Sequence, residues 1–242
     1  HEGHPRRAMG IFDFFGKATP ESVIAKHASR IANRRAQAPD RWESIHAVGK
    51  LQSPAAVQTL LPRFGFFVDP SITDNEEKDE TFRYIIEVGA PAIDPVVKFM
   101  GKAETLSWPL RILERLGNEE RVVTELLALL APMRTEYERD PQRKLQVLSA
   151  LEERQDPRII PAVLRFAEDT SDAARYHAIG AILHQGNVEE SKDALGAHLA
   201  KEESLRIKGR LLATFAEKGW ALPDAAKAAL SKAMPPGYTL DA

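Results

Sequence analysis

The chain has 242 residues, of which 43% are hydrophobic and 28% charged, and its formal net charge is −2 at pH 7. A nearly neutral chain has no overall electrostatic attraction to nucleic acid, so nucleic-acid binding is not expected. Cysteine is absent, which excludes disulfide bonds, thiolate catalysis and cysteine zinc sites and fits a cytoplasmic location.

Residues 1–19 precede the first predicted helix. The leader 1–8, HEGHPRRA, is set aside for fold prediction, and the segment MGIFDFFGK that follows it is strongly apolar. Together with the cations of the next helix, residues 9–35 resemble a segment that lies on a membrane surface. The alternative is a hydrophobic cap over the exposed end of a repeat array. We favour the cap.

Helical periodicity covers most of the chain from Pro20 to Ala233, and strand signals are nearly missing, which predicts an all-α fold. A capping helix is expected over 20–36, with Thr19 as N-cap and Pro20 at the first helical position. Six helix pairs follow, at 39–65, 74–101, 104–134, 140–168, 171–200 and 203–234. The tail 236–242 is expected to fray.

A sequence repeat of about 33 residues recurs along the chain. It joins two apolar helices through a short turn, as in EVGAPAIDPVVKFM and ERQDPRIIPAVLRF. The proline pair 157 and 161 in the second segment matches the pair 91 and 95 in the first. Because Asp156 is a preferred N-cap, Pro157 is predicted at the first helical position. Pro109 is predicted to interrupt the first helix of the third pair.

The segments DRWESIHAVGKLQSPAAVQTLL, TSDAARYHAIGAILHQGN and QDPRIIPAVLRFAED resemble the HEAT repeat family, over about residues 37–235. The resemblance implies a right-handed α-solenoid of about six helix pairs with an N-terminal capping helix. It also implies a scaffold or adaptor that binds another protein. HEAT-like DNA glycosylases of the alkylpurine type and HEAT-like bilin lyase subunits share the repeat and are weaker alternatives, as is a membrane-surface adaptor.

One position in the first helix of each pair is basic in five of six pairs. Its occupants are Arg41, Lys78, Leu106, Lys144, Arg175 and Lys208. We interpret this basic ladder as structural, each cation bonding carboxylates or turn carbonyls of a neighbouring repeat. The alternative is a positive stripe that binds an acidic partner.

The segment 69–80 is the acidic exception, with six carboxylates against one lysine. It is predicted to be a solvated insertion that contacts a partner protein through Asp69, Asp74, Glu76, Glu77, Asp79 and Glu80. Trp108 is proposed as an apolar anchor for the same partner. The other tryptophans, Trp42 and Trp220, are interpreted as packing residues.

No motif for catalysis, metal binding or cofactor binding is found. The sequence has no Gly-x-Ser-x-Gly elbow, no phosphate-binding glycine loop and no dinucleotide fingerprint. The spacing of the histidines does not match a metal site. We therefore expect a non-enzymatic protein without cofactor or metal.

Overall fold

The computed structural model describes residues 18–240. Every regular element in this range is helical and none is a strand, which confirms the all-α prediction. The leader and the whole apolar segment MGIFDFFGK, residues 9–17, lie outside the described residues, and so does the cap predicted for that segment. No helix within residues 18–240 is long and apolar enough to cross a membrane.

Residues 18–240 contain thirteen α-helices. In chain order they are α1 Pro20–Ile31, α2 Ala38–Gly49, α3 Pro54–Leu60, α4 Ser71–Val88, α5 Ile93–Met100, α6 Ser107–Leu116, α7 Glu119–Leu130, α8 Gln142–Glu152, α9 Ile159–Val163, α10 Asp172–Leu183, α11 Lys192–Leu199, α12 Leu205–Lys218 and α13 Asp224–Leu230. Short 3-10 segments lie at Leu61–Gly65, Ala90–Ala92, Leu164–Glu168 and Val188–Ser191.

The helix starts are set by the local capping chemistry. Thr19 accepts a hydrogen bond from the Ser22 backbone N–H at 3.2 Å, and Pro20 opens α1, as predicted. However, α1 ends at Ile31 and not at 36. The reason is Arg41, whose guanidinium binds the carbonyls of Arg34 and Ala36 and so holds them in a turn.

The prolines follow one rule that the sequence only partly revealed. Pro95, Pro109 and Pro161 are each the third residue of their α-helix, in α5, α6 and α9. Backbone N–H groups of a first helical turn need no intrahelical acceptor, so proline fits there at little cost.

Two predictions about these prolines were therefore wrong. Pro109 lies within the first turn of α6 and does not interrupt that helix. Pro157 lies in the turn before α9, which begins only at Ile159. Asp156 closes that turn by accepting the Arg158 N–H at 2.9 Å on its side chain.

Contacts divide the chain into two compact units, His1–Val96 and Val97–Ala242, of which residues 18–240 are described. The first unit has a core from α1 to α4, with fully buried Ile31, Ile45, Val57 and Ile85. The second unit is built around α8 and α10, with Leu148, Phe166, Ile179 and Leu211 in its core.

The described part of the tail is packed against the second unit. The Tyr238 hydroxyl donates a hydrogen bond to the Gly209 carbonyl of α12 at 3.0 Å, and Pro235 is buried. Tyr238 thus attaches the tail to α12, and fraying of the other tail residues stays a prediction.

The proline rule predicts a large contrast inside α9. Pro161→Ala should change the free energy of unfolding by less than about 1 kcal/mol, because position 161 is exposed and its N–H needs no partner. Val163→Pro should cost roughly 3 kcal/mol or more, because it removes a helical hydrogen bond and the ring clashes with the preceding turn. Urea denaturation followed by circular dichroism measures both, and equal losses would contradict the placement of the helix start.

Candidate functional site

Five charged side chains form a buried cluster in the first unit, described below as the ion cluster. Its members are Arg41, Arg63, Asp74, Glu77 and Lys78. The Glu77 carboxylate accepts hydrogen bonds from Arg41 Nε at 2.9 Å and from Arg63 Nε at 2.6 Å. The Asp74 carboxylate accepts hydrogen bonds from Arg63 Nη2 at 2.8 Å and from Lys78 Nζ at 2.6 Å. Each buried charge thus has an opposite charge in direct contact, as burial requires.

The ion cluster overturns the interpretation of segment 69–80 as a solvated insertion. Residues 71–80 are the first part of the 18-residue helix α4, and Asp74 and Glu77 are buried. Three of the six acidic side chains proposed to contact a partner are exposed, namely Asp69, Glu76 and Asp79, and Glu80 is half-buried. Asp74 and Glu77 are not solvated as predicted, because their carboxylates are bound by Arg41, Arg63 and Lys78.

Lys78 and Arg63 keep the buried Asp74 carboxylate ionised. Burial by itself would raise the pKa of Asp74, but hydrogen bonds from Lys78 and Arg63 outweigh burial and lower that pKa below its usual value. The helix α4 is therefore fixed to α2 and to the 3-10 segment Leu61–Gly65 by charge-assisted hydrogen bonds.

An open recess of about 370 Å³ lies beside the ion cluster, and we call it the Trp42 recess. It is lined by Ala38, Pro39, Trp42, Thr73, Glu76 and Glu77. Trp42 keeps 38% of its surface exposed, so its interpretation as a packing residue was incomplete. The Trp42 ring is held edge-on by His46 at a centroid distance of 4.9 Å. His46 Nδ1 in turn lies 2.8 Å from the Tyr84 hydroxyl.

In the second unit, cations of the basic ladder also bind carboxylates and backbone carbonyls of the chain. Lys144 Nζ lies 2.7 Å from Asp169 Oδ2 and donates to the Arg134 carbonyl at 2.9 Å. Arg175 binds both oxygens of Glu202, at 3.0 and 2.9 Å, and the carbonyl of Asp169 at 3.0 Å.

Two ladder positions lack a charged contact of this kind. Lys208 is buried, and no carboxylate within residues 18–240 forms an ion pair with it. Leu106 is buried, and its N–H donates to Gln146 Oε1 at 2.8 Å. The described ladder cations that form ion pairs thus bind carboxylates of the chain itself.

Glu202 organises the contacts around Arg175. His198 presents Nε2 to Glu202 at 2.7 Å and Nδ1 to Glu168 at 3.2 Å. Burial alone would raise the pKa of Glu202, but the hydrogen bonds from His198 and Arg175 outweigh it and hold that pKa far below its usual value.

A second recess, of about 390 Å³, lies on the face of α6, α8 and α10. His177 lines it and places Nδ1 2.7 Å from Glu152 Oε2, while Arg210 binds the other Glu152 oxygen at 2.5 Å. Gly180 makes this approach feasible, because a Cβ there would lie 2.3 Å from Glu152 Oε1. These groups bind one another, and this arrangement links three helices of the second unit.

Trp108 belongs to the second unit and is the second residue of α6. It is half-buried, with the Arg111 guanidinium carbon 4.3 Å from its ring centroid. Its role as a partner anchor remains a prediction. Within residues 18–240 no group of three or more His, Asp or Glu residues is placed to hold a metal ion.

The role of Arg63 and the Glu152–His177–Arg210 contacts were not predicted from the sequence, and Trp42 was predicted only as a packing residue. A usable signal existed for Trp42, because Pro39, Trp42 and His46 share one face of α2 at helical spacing. For the other two, the partners lie 11 or more residues apart, and no local pattern joins them.

Comparisons with known proteins yield no relative: no family model, no curated protein and no solved structure matches this chain.

The ion cluster predicts that Arg63 is a key residue for the stability of the first unit. Arg63→Met should cost about 2–3 kcal/mol, because it removes the charge-assisted hydrogen bonds to both Glu77 and Asp74 and leaves each of them with one other cation. Arg83→Met is the matched control, since Arg83 pairs with Glu80 and Glu87 at the exposed surface of α4, the helix that carries Asp74 and Glu77. Its loss should be much smaller in urea denaturation. Comparable losses would show that the cluster is not the stabilising element.

The network around Glu202 predicts acid sensitivity. Folding lowers the pKa of Glu202 below its ordinary value of about 4.5. The ionised Glu202 therefore contributes its full stabilisation above about pH 4.5, and this stabilisation is lost as the pH falls further. Glu202→Gln should destabilise the protein at pH 7 by about 3 kcal/mol and flatten the loss of stability between pH 5 and pH 3. The exposed neighbour Glu203 supplies the control, Glu203→Gln, which should leave the curve of unfolding free energy against pH unchanged.

Proposed function

We propose that this chain is a non-enzymatic scaffold or adaptor that binds another protein, built as a HEAT-like α-solenoid and acting in the cytoplasm. Support for the repeat architecture comes from two recurrences. A proline occupies the third position of α5 and α9, each of which is the second helix of its predicted pair. A first-helix cation binds the turn before its own helix and a later carboxylate, as Arg41 and Arg175 do.

The observation that carries the binding function is the exposure of Trp42 at an open recess. A fixed aromatic ring with one face in solvent has the chemistry of a binding hot spot, since it buries a large area at little entropic cost. His46 and Tyr84 hold the ring in place. Nucleic acid is a poor ligand for this recess, because its charged lining residues, Glu76 and Glu77, are carboxylates that repel phosphate.

Trp42→Ala tests this function. The purified chain should capture a protein partner from a lysate of its source organism, and the variant should capture at least about tenfold less of it in quantitative mass spectrometry. Tyr137→Ala is the control, because Tyr137 is an aromatic residue of the second unit with 81% of its surface exposed. Melting curves establish that both variants are folded. Capture that is the same for wild type and Trp42→Ala would contradict the function at this recess.

A further inference from the structure

The first unit holds cations between an aromatic ring and a carboxylate at two places on α4. Lys78 Nζ lies 3.8 Å from the centroid of the Phe67 ring and 2.6 Å from Asp74 Oδ2. The Arg83 guanidinium carbon lies 4.4 Å from the centroid of Tyr84, and its Nε donates to Glu80 at 2.8 Å. Each arrangement combines cation–π attraction with an ion pair.

The Trp42 recess contains the same two components without a cation. Trp42 supplies the aromatic face and Glu76 the carboxylate, and both line the recess. No described residue places a cation over Trp42 or forms an ion pair with Glu76. The exposed Arg34 and Arg35, in the turn before α2, do not pair with Glu76 either.

The remaining lining residues favour a long cationic side chain. Ala38 and Pro39 offer apolar surface for the methylene groups of a lysine or arginine stem. The Glu77 oxygens are already bound by Arg41 and Arg63, so Glu76 is the carboxylate of the recess that is available to a ligand. A volume of about 370 Å³ admits one such side chain with part of its backbone. Ile72, one residue before Thr73, has 69% of its surface exposed and can contact an apolar neighbour of that cation.

We propose that the Trp42 recess binds a lysine or arginine side chain that lies beside an apolar residue in a segment of a partner protein. The cation stacks on Trp42 and pairs with Glu76, and the apolar neighbour packs on Ile72. This proposal rests on the proposed protein-binding function and specifies the chemistry of the partner.

The experiment uses the full chain and the synthetic peptide acetyl-Gly-Leu-Arg-Leu-Gly-amide. The protein has three tryptophans, so a ¹H–¹⁵N spectrum can resolve their indole N–H signals, and Trp42→Phe identifies that of Trp42. Titration should shift the Trp42 signal in a saturable way with the arginine peptide and with its lysine counterpart. The citrulline peptide, which has the same shape without the charge, should give no saturable shift.

Substitution of the carboxylate tests the second component. Glu76→Gln should raise the peptide Kd by roughly fivefold or more at low salt, and the effect should shrink as salt is added. Glu21→Gln is the matched control, because Glu21 is an exposed carboxylate at the start of α1 that forms no ion pair within the described residues. Its Kd should stay within twofold of wild type.

Four outcomes would overturn the proposal. The citrulline peptide could bind as well as the arginine peptide, or Glu21→Gln could weaken binding as much as Glu76→Gln. Binding that appears only after residues 1–17 are deleted would assign the recess to the chain's own N-terminal segment. A Trp42 signal that moves with protein concentration in the absence of peptide would assign it to a second copy of the chain.

The two levels of the hypothesis fail separately. Loss of partner capture in Trp42→Ala without any arginine-peptide binding would retain the binding function and reject the cationic ligand. Saturable peptide binding with Trp42-independent capture would retain the cation site and reject its role in partner binding.

Discussion

Burial of a carboxylate requires opposite charges in contact with it. Glu77 has two such contacts, with Arg41 from α2 and with Arg63 from the 3-10 segment after α3. Since each guanidinium has a fixed planar geometry, these contacts fix the separation of α2 and α4 more tightly than apolar packing alone. Glu77 also lines the Trp42 recess, so the contacts of Arg41 and Arg63 with Glu77 hold one side of that recess in place.

The second unit applies the same constraint at its own helix turns. Lys144 joins the Arg134 carbonyl before α8 to Asp169 before α10, and Arg175 joins the Asp169 carbonyl to Glu202 before α12. Each of these cations thus links the turn before its own helix to the turn before the first helix of the following pair. Because such links repeat along the chain, the spacing of successive first helices depends on charge as well as on apolar packing.

The all-α fold and the approximate helix ranges could be predicted because apolar periodicity is local. The burial of the first half of α4 could not be predicted, because its buried face is polar. Asp74, Glu77, Lys78 and Thr81 follow the i, i+3, i+4, i+7 spacing of a buried helix face. A hydrophobicity pattern sees only an acidic segment there. The missing information is Arg63, 14 residues before Glu77, together with Arg41, which is 36 residues away.

The same reasoning explains why Glu76 and Glu77, neighbours in sequence, have opposite roles. A helix turns by about 100° per residue, so Glu77 faces the ion cluster while Glu76 remains exposed beside Trp42. Two internal cations already satisfy Glu77, and the protein offers Glu76 none among its described residues. Glu76 and the Trp42 ring line the same recess, and both a carboxylate and an aromatic face attract a cation. The unit thus uses internal cations to build the recess and leaves one carboxylate of that recess for an external cation.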